Sequence, residues 1–491
     1  MKILIRSIIQ FLFVNFSLIT ISLASTQMVV GLYGTQTEFS LPLVMLGNET
    51  GQSWTFVKNI SGFPAGTRGG QVRHVSCVGD NCIAAGSYEH NTNTDLSAFS
   101  PLLLKSSDKG ASWSFVNTIS YIPDNVTHAY LDTVDCQDSA CIAAGYADTL
   151  NEKTGTDLEH PLLLMSNDSG QTWRFVNGGT LDLPHMDGSF YGITRNNGNW
   201  ILIGSYDVYP SGSQVNPTQY PLFLISKDDG KSWTQLNENS GLPSMSLLEE
   251  NPEALVECAD NICLTGGSSA TQKNYIPLIL RSDDSSQSWS IIKNISGMPP
   301  RTLGSKERGS PSISQFSCTE NNCVAVGDWN WGVYTPYHPT IPFVILSRDK
   351  GLSWARVKNI DGFPVFQEHE PFLSTVSCAD NFCAAGGEYG DKLNITKLPL
   401  LIVSRDKGES WTLIKNISGL PSNFNDAAIS SIHCADNSCT VIGVWTTDTY
   451  YSLPLIMITN DSGQSWSFIR SITDLPENTN RAELVSVVNN N

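Results

Sequence analysis

An eight-residue phrase recurs through this chain: SSDKGASW at 106–113, SNDSGQTW at 166–173, SKDDGKSW at 226–233 and SRDKGESW at 404–411. Repetition at such a period constrains the fold more than any other feature. A supersecondary unit of that size cannot bury its own faces, so copies must stack into a solenoid or close into a ring. The pattern is Ser-x-Asp-x-Gly-x-x-Trp. It is complete in five copies, beginning at Ser106, Ser166, Ser226, Ser347 and Ser404. Thr459 replaces Ser in the last copy and Ser286 replaces Gly in the fifth. The first copy carries Gly47 for Ser and Glu49 for Asp.

Four short apolar runs recur around the phrase in fixed order, here called A to D. A ends at the first cysteine of a pair, as in TVSC at 375–378. B follows the second cysteine, as in CIAAGSY at 82–88. C is headed by proline, as in PLLLKS at 101–106. D begins at the tryptophan, as in SWSFV at 112–116. Each run is short, β-rich and bounded by turn formers, which favours strands, and no stretch has helical periodicity.

The D tryptophans are Trp54, Trp113, Trp173, Trp233, Trp289, Trp354, Trp411 and Trp466, so the set occurs eight times. The order is out of phase with the chain ends. B, C and D come first (MVVGLY at 28–33 is a B run), and a lone A comes last at 484–487. An open stack would leave that orphan edge exposed, whereas a ring lets the last strand complete the first unit. The expectation is an all-β, eight-bladed β-propeller of four-stranded antiparallel blades, closed by pairing of the terminal strands, with seven blades as the alternative.

The phrase resembles the Asp-box, or BNR repeat, of sialidases, sortilin-type receptors and related propellers, and the resemblance covers essentially the whole chain after its first residues. It implies a structural turn on the ring's perimeter, away from the active face. Asp and Ser accept backbone N–H groups, Gly takes positive φ, and Trp buries on the order of 200 Å². The sialidase branch would also imply an Arg-Ile-Pro motif, an arginine triad, a Tyr–Glu nucleophile pair and an acid Asp. This chain has no Arg-Ile-Pro.

The first residues carry Lys2 and Arg6, an apolar run, and then Ser22-Leu23-Ala24. This reads as a secretory signal peptide, 1–24, cut near Ala24, with an uncleaved anchor as the alternative. Residues 25–491 then form one propeller domain, secreted, periplasmic or extracellular, with no later membrane span. Removing the segment takes the formal charge from −18 to −20, which disfavours nucleic acid and anionic membrane.

Twelve cysteines fall in six pairs of one spacing: Cys77-Cys82, Cys136-Cys141, Cys258-Cys263, Cys318-Cys323, Cys378-Cys383 and Cys434-Cys439. Zinc sites call for closer spacing. Disulfides across A–B turns fit better, each restraining the unfolded chain by about 2 kcal/mol. No metal or cofactor is implied.

Function is expected on the face opposite the phrases, where the B–C and D–A connections vary in length. Aromatic candidates for binding there are Trp329, Trp331, Tyr334, Tyr337, Tyr209, Trp445 and Tyr450. Acids just past B strands, Glu388, Asp328, Asp207 and Glu89, are candidates for a glycoside hydrolase, which needs two carboxylates across a cleft. The leading expectation is a monomeric, non-catalytic binding or scaffolding propeller for a glycan or extracellular protein. A sialidase-like exo-glycosidase acting at the central mouth is the alternative.

Overall fold

The computed structural model describes residues 26–35, 40–91, 97–120, 126–150, 157–176, 187–209, 218–242, 256–270, 275–284, 286–293, 295–298, 310–330, 341–358, 360–362, 369–391, 397–421, 424–447 and 451–490. The expected signal peptide lies outside them. The described residues hold many small sheets and no α-helix, as a β-propeller would, with one 3-10 turn at Glu238–Ser240.

Four strands in the order A–B–C–D, each antiparallel to the next, occur eight times among the described residues. Unit 2 is Thr67–Val78, Asn81–Asn91, Ser97–Ser106 and Trp113–Phe115. Units 3 to 8 span 126–175, 187–235, 257–291, 310–356, 369–413 and 424–468. Unit 1 takes its B, C and D strands from Thr26–Thr35, Leu41–Gly47 and Trp54–Phe56, and its A strand from Thr479–Asn490. The register runs from Thr26 opposite Asn490 to Thr35 opposite Thr479, so the chain ends pair as expected.

Most A strands are 10–12 residues long, well beyond the short apolar run seen in the sequence. Their polar first halves precede a bulge, which falls between Val72 and His74 in unit 2 and between Leu131 and Thr133 in unit 3. Opposite each bulge stands the B-strand glycine. A Cβ on Gly86 would sit 1.9 Å from the Gln71 carbonyl oxygen, so no other residue fits. In unit 7 that place belongs to Gly387, 1.9 Å from Phe372 O.

All six expected disulfides are formed, with paired Cα atoms 4.0–4.1 Å apart. Unit 4 has none and compensates in two ways. Its A–B turn is Asn197-Gly198, both residues at positive φ (48° and 82°), the conformation that suits a two-residue hairpin. At the place of the cysteines, Arg195 faces Trp200 across the strands, with its guanidinium 5.3 Å from the ring centre.

The C–D turn has the same geometry in each full copy. Ser106 Oγ donates to Asp108 Oδ1 (2.7 Å) and accepts from Gly110 N–H (2.8 Å). Asp108 accepts from the N–H and the hydroxyl of Ser112 (2.9 and 2.5 Å). Trp113 Nε1 donates to Gly110 O (2.9 Å). The hydroxyl just before Trp is thus a full member of the turn, repeated as Thr172, Ser232, Ser288, Ser353, Ser410 and Ser465. In the drifted first copy the closing side chain is Asn48, which accepts from Ser53 N–H at 3.2 Å.

The turn glycine also makes room for the preceding unit: a Cβ on Gly110 would sit 2.2 Å from Met28 Cε, and one on Gly170 2.1 Å from Ile83 Cδ1. The buried clusters are shared in the same way. Trp113 packs with Met28, Val30 and Val44 of unit 1, and Trp54 packs with Ile442, Ile456 and Ile458 of unit 8. Each A strand also contacts the next, with Phe424–Ala435 touching Thr479–Asn490, and the latter touching Thr67–Val78.

The NISG-like phrases after D, such as NISG at 416–419, do more than reverse the chain. Two-residue strands there pair in parallel with the next unit's D strand: Ile60-Ser61 on Trp113-Ser114, Ile119-Ser120 on Trp173-Arg174, and Ile472-Thr473 on Trp54-Thr55. Their hydroxyls donate to the tryptophan carbonyl, as Ser120 does to Trp173 O (3.3 Å). Residues 472–490 therefore grip unit 1 at both edges. Ending the chain after Arg470 is expected to abolish the single cooperative thermal transition; an unchanged Tm would contradict the double grip.

Ser286 stands where the complete copies have glycine, at φ 68°, with a fully buried hydroxyl that has no hydrogen-bond partner among the described residues. Ser286→Gly is expected to stabilise the protein by about 1 kcal/mol in denaturant melts, by removing the left-handed cost and the unsatisfied group.

Candidate functional site

The aromatic and acidic candidates fall in different surroundings. Trp331, Tyr334, Tyr337 and Tyr450 lie outside the described residues. Trp329 and Trp445 are only 7 % exposed, and Trp445 meets Phe468 edge-on at 5.9 Å. Aromatics two residues past the B glycine meet rings of their own unit, as Tyr88 does with Phe115 at 5.2 Å, and also share buried clusters with the preceding unit. Among the acids, Glu388 pairs with Lys397 Nζ at 2.5 Å, Asp328 is buried, and Glu89 stands opposite Gly69 and Phe99. Asp207 and Tyr209 join a larger cluster at the B–C/D–A ends of units 2 to 4, and Glu89 borders it opposite Phe99.

The cluster is assembled from strands of three consecutive units. The bulges in the A strands of units 2 and 3 supply Arg73 and Asp132, which pair at 2.6 Å. On the A and B strands of unit 3, Tyr130 and Tyr146 stand directly opposite each other with rings stacked at 4.8 Å. Phe99 of unit 2 extends the stack, 5.3 Å from Tyr130. Asp148, near the end of the B strand of unit 3, stands opposite Glu159, near the start of its C strand. Asp187 begins the A strand of unit 4, opposite Asp207 on its B strand. Asp187 joins the units: its Oδ1 accepts from Glu159 N–H (2.9 Å), and its Oδ2 accepts from the Tyr209 hydroxyl (2.6 Å).

Crowding of like charges in a half-buried place shifts these groups. Glu159 is pushed up to about 7 by burial and by the charges of Asp148, Asp187 and Asp132, against an opposing Ser189 hydrogen bond. Burial and Asp187 also raise Asp207. Tyr209 rises to about 12 through its bond to Asp187, and Tyr146 to about 12 through burial and the nearby Asp132 and Glu159. The site holds several hydrogen-bond acceptors, a stacked aromatic wall, one arginine already engaged by Asp132, and one carboxyl that exchanges its proton near neutrality. No group of three or more His, Cys, Asp or Glu among the described residues is arranged to hold a metal ion.

Sequence reasoning reached only two members of this set, because the other eight are scattered over six strands with no motif. The discernible signal was the acid content of one stretch, with Asp148, Glu159, Asp187 and Asp207 all near the ends of B, C or A runs.

No protein-family model matches the chain, and no curated protein matches it. Solved structures similar to it are sialidase-like and related β-propeller folds at low identity. A polysaccharide lyase of family PL25, an ulvan lyase bound to a GlcA–Rha3S saccharide, is 12% identical over 71% of this chain and 87% of its own, with a TM-score of 0.43. YCF48 bound to D1 peptide is 14% identical over 70% and 89%, with a TM-score of 0.35. A Hadza microbial sialidase is 13% identical over 90% and 82%, with a TM-score of 0.35. The six disulfides fit an extracellular location, and no helix of the described residues is long and apolar enough to cross a membrane.

Glu159 gives a pH prediction. Its folded value, about 7, lies above the ordinary 4.5. The stability linked to it is complete below the lower value and is lost as the pH rises through the upper one. The Tm of the wild type is therefore expected to fall between about pH 5 and 8, and Glu159→Gln to flatten that slope; an identical slope in the variant would contradict the assignment.

Proposed function

We propose that residues 25–491 form a single, monomeric, eight-bladed propeller of the Asp-box type, exported by a signal peptide cut near Ala24. It binds a glycan or an extracellular protein on its B–C/D–A face without catalysis. The eightfold set of strands, the cores shared between successive units and the paired chain ends support the ring. One observation carries the binding reading: acceptor carboxylates and a stacked Phe99–Tyr130–Tyr146 wall converge at the mouth ends of three units. Pyranose rings stack on such walls while their hydroxyls donate to carboxylates. The same face exposes Val208, Phe372, Leu398 and Tyr451, four of the six exposed large hydrophobic side chains among the described residues. That suits a surface made for contact.

A second reading rests on Glu159. A carboxyl that titrates near 7 beside carboxylates is the arrangement a glycoside hydrolase uses for its proton donor, with Asp187 or Asp207 as the second group. It replaces the candidates Glu388 and Asp328, which stand outside the cluster, while Glu89 borders it opposite Phe99.

Glycan arrays and pull-downs from extracellular material test the first reading. The wild type is expected to bind, and Tyr146→Ala or Asp187→Asn to weaken binding by about tenfold or more. No binding in either assay, together with turnover of a glycoside that Glu159→Gln abolishes, would replace it with the second.

A further inference from the structure

The seam between the two chain ends contains a cleft of about 710 Å³. Tyr33 and Phe63, which come from the start of the chain, and Pro476, which comes from its end, form its walls. Lys58, Asp474 and Glu477 stand around it as polar groups. Tyr33 is fixed edge-on against Phe56 at 5.1 Å, and Phe63 lies 5.7 Å from Phe115. The volume is within the usual range for small-ligand sites.

Asp474 breaks the internal repeat at this place. In five equivalent phrases, ISGF, NSGL, ISGM, IDGF and ISGL, the third residue is Gly62, Gly241, Gly297, Gly362 or Gly419, all at φ between 73° and 84°, whereas ISYI carries Tyr121 at that place. The last phrase, ITDL, puts Asp474 there at φ 67°. L side chains resist this left-handed conformation, although aspartate tolerates it better than most. The carboxylate reaches Lys58 Nζ at 2.6 Å, with side chains 50 % and 60 % exposed. An ion pair so open to water adds little stability. Asp474 thus stands where five of the phrases keep glycine, and the gain from its side chain is local to the cleft.

We propose that the seam cleft is a binding site for a neutral oligosaccharide. Apolar ring faces lie against Tyr33 and Phe63. Sugar hydroxyls donate to the Asp474 and Glu477 carboxylates and accept from the Lys58 ammonium. The rim carries both signs of charge, Lys58 paired with Asp474 and Glu477 beside the cleft, so a neutral, multiply hydroxylated ligand finds donors and acceptors there, whereas a strongly charged one meets repulsion from one sign. Because the walls come from both chain ends, an occupied cleft holds the ring shut. The site is separate from the mouth cluster of units 2 to 4 and does not depend on it.

Calorimetry and thermal melts with cello-, malto-, chito- and xylo-hexasaccharide test the proposal. At least one is expected to bind the wild type and raise its Tm. Asp474→Gly restores the repeat residue, so it is expected to keep or raise the ligand-free Tm while weakening binding by about tenfold or more. Lys58→Met is expected to weaken binding as well. The proposal is overturned if no saccharide of the panel binds, if Asp474→Gly binds as well as the wild type, or if only peptides bind. A saccharide whose binding falls with Tyr146→Ala but not with Asp474→Gly belongs to the mouth and equally overturns the seam assignment.

Discussion

A four-stranded unit of this chain has two apolar faces and too few residues to cover either. Every buried tryptophan of the C–D turns therefore depends on its neighbour: Trp113 on unit 1, Trp54 on unit 8. Burying one such ring stabilises by a few kcal/mol, and the gain is lost if the neighbour is missing. The chain meets this constraint at its own ends. Thr479–Asn490 supplies the inner strand that unit 1 lacks, and Ile472-Thr473 adds a rung at the outer edge. The phase of the repeat, the positions of the glycines and the shared clusters all follow from a requirement that no unit be left with an uncovered side.

The carboxylates of the C–D turns and those of the cluster in units 2 to 4 shift in opposite directions. In the C–D turns, aspartates are saturated with hydrogen bonds. Asp461 is drawn down to about 2 by the hydroxyl and N–H of Ser465, and the turn network holds down Asp108, Asp168, Asp228, Asp284, Asp349 and Asp406 despite some burial. Such groups stabilise the fold down to strongly acid pH. In the cluster, carboxylates crowd one another beside tyrosines, and Glu159 moves the other way. Burial also raises carboxyls outside the cluster, Asp135 to about 6 and Glu257 to about 7.

The fold was legible because its determinants are local and repeated. A turn that needs Ser, Asp, Gly, a hydroxyl and Trp writes itself into the chain, and so does a cysteine pair flanking a two-residue turn. The first halves of the A strands were not legible. Around Thr67 or Asp187 the residues are polar, and their strand character comes from pairing and from a bulge that only the Gly86 or Gly204 contact explains. The mouth site was missed for a related reason. Arg73, Asp132, Glu159 and Asp187 are far apart in the chain and meet only through the stagger of three adjacent units. Asp207 and Tyr209 were found because they follow a B strand directly, whereas Trp329 and Trp445, flagged on the same grounds, lie in the interior.

Closure is the claim from which the rest descends, and a cross-link reads it directly. Val29 and Val487 are cross-strand partners, close enough for a disulfide if the ends pair. In the Val29→Cys, Val487→Cys variant, mass spectrometry after oxidation should find these two cysteines joined within one monomer, and the melting temperature should rise. Two thiols that stay free, or that join only between molecules, would mean the ends do not meet and the ring does not close.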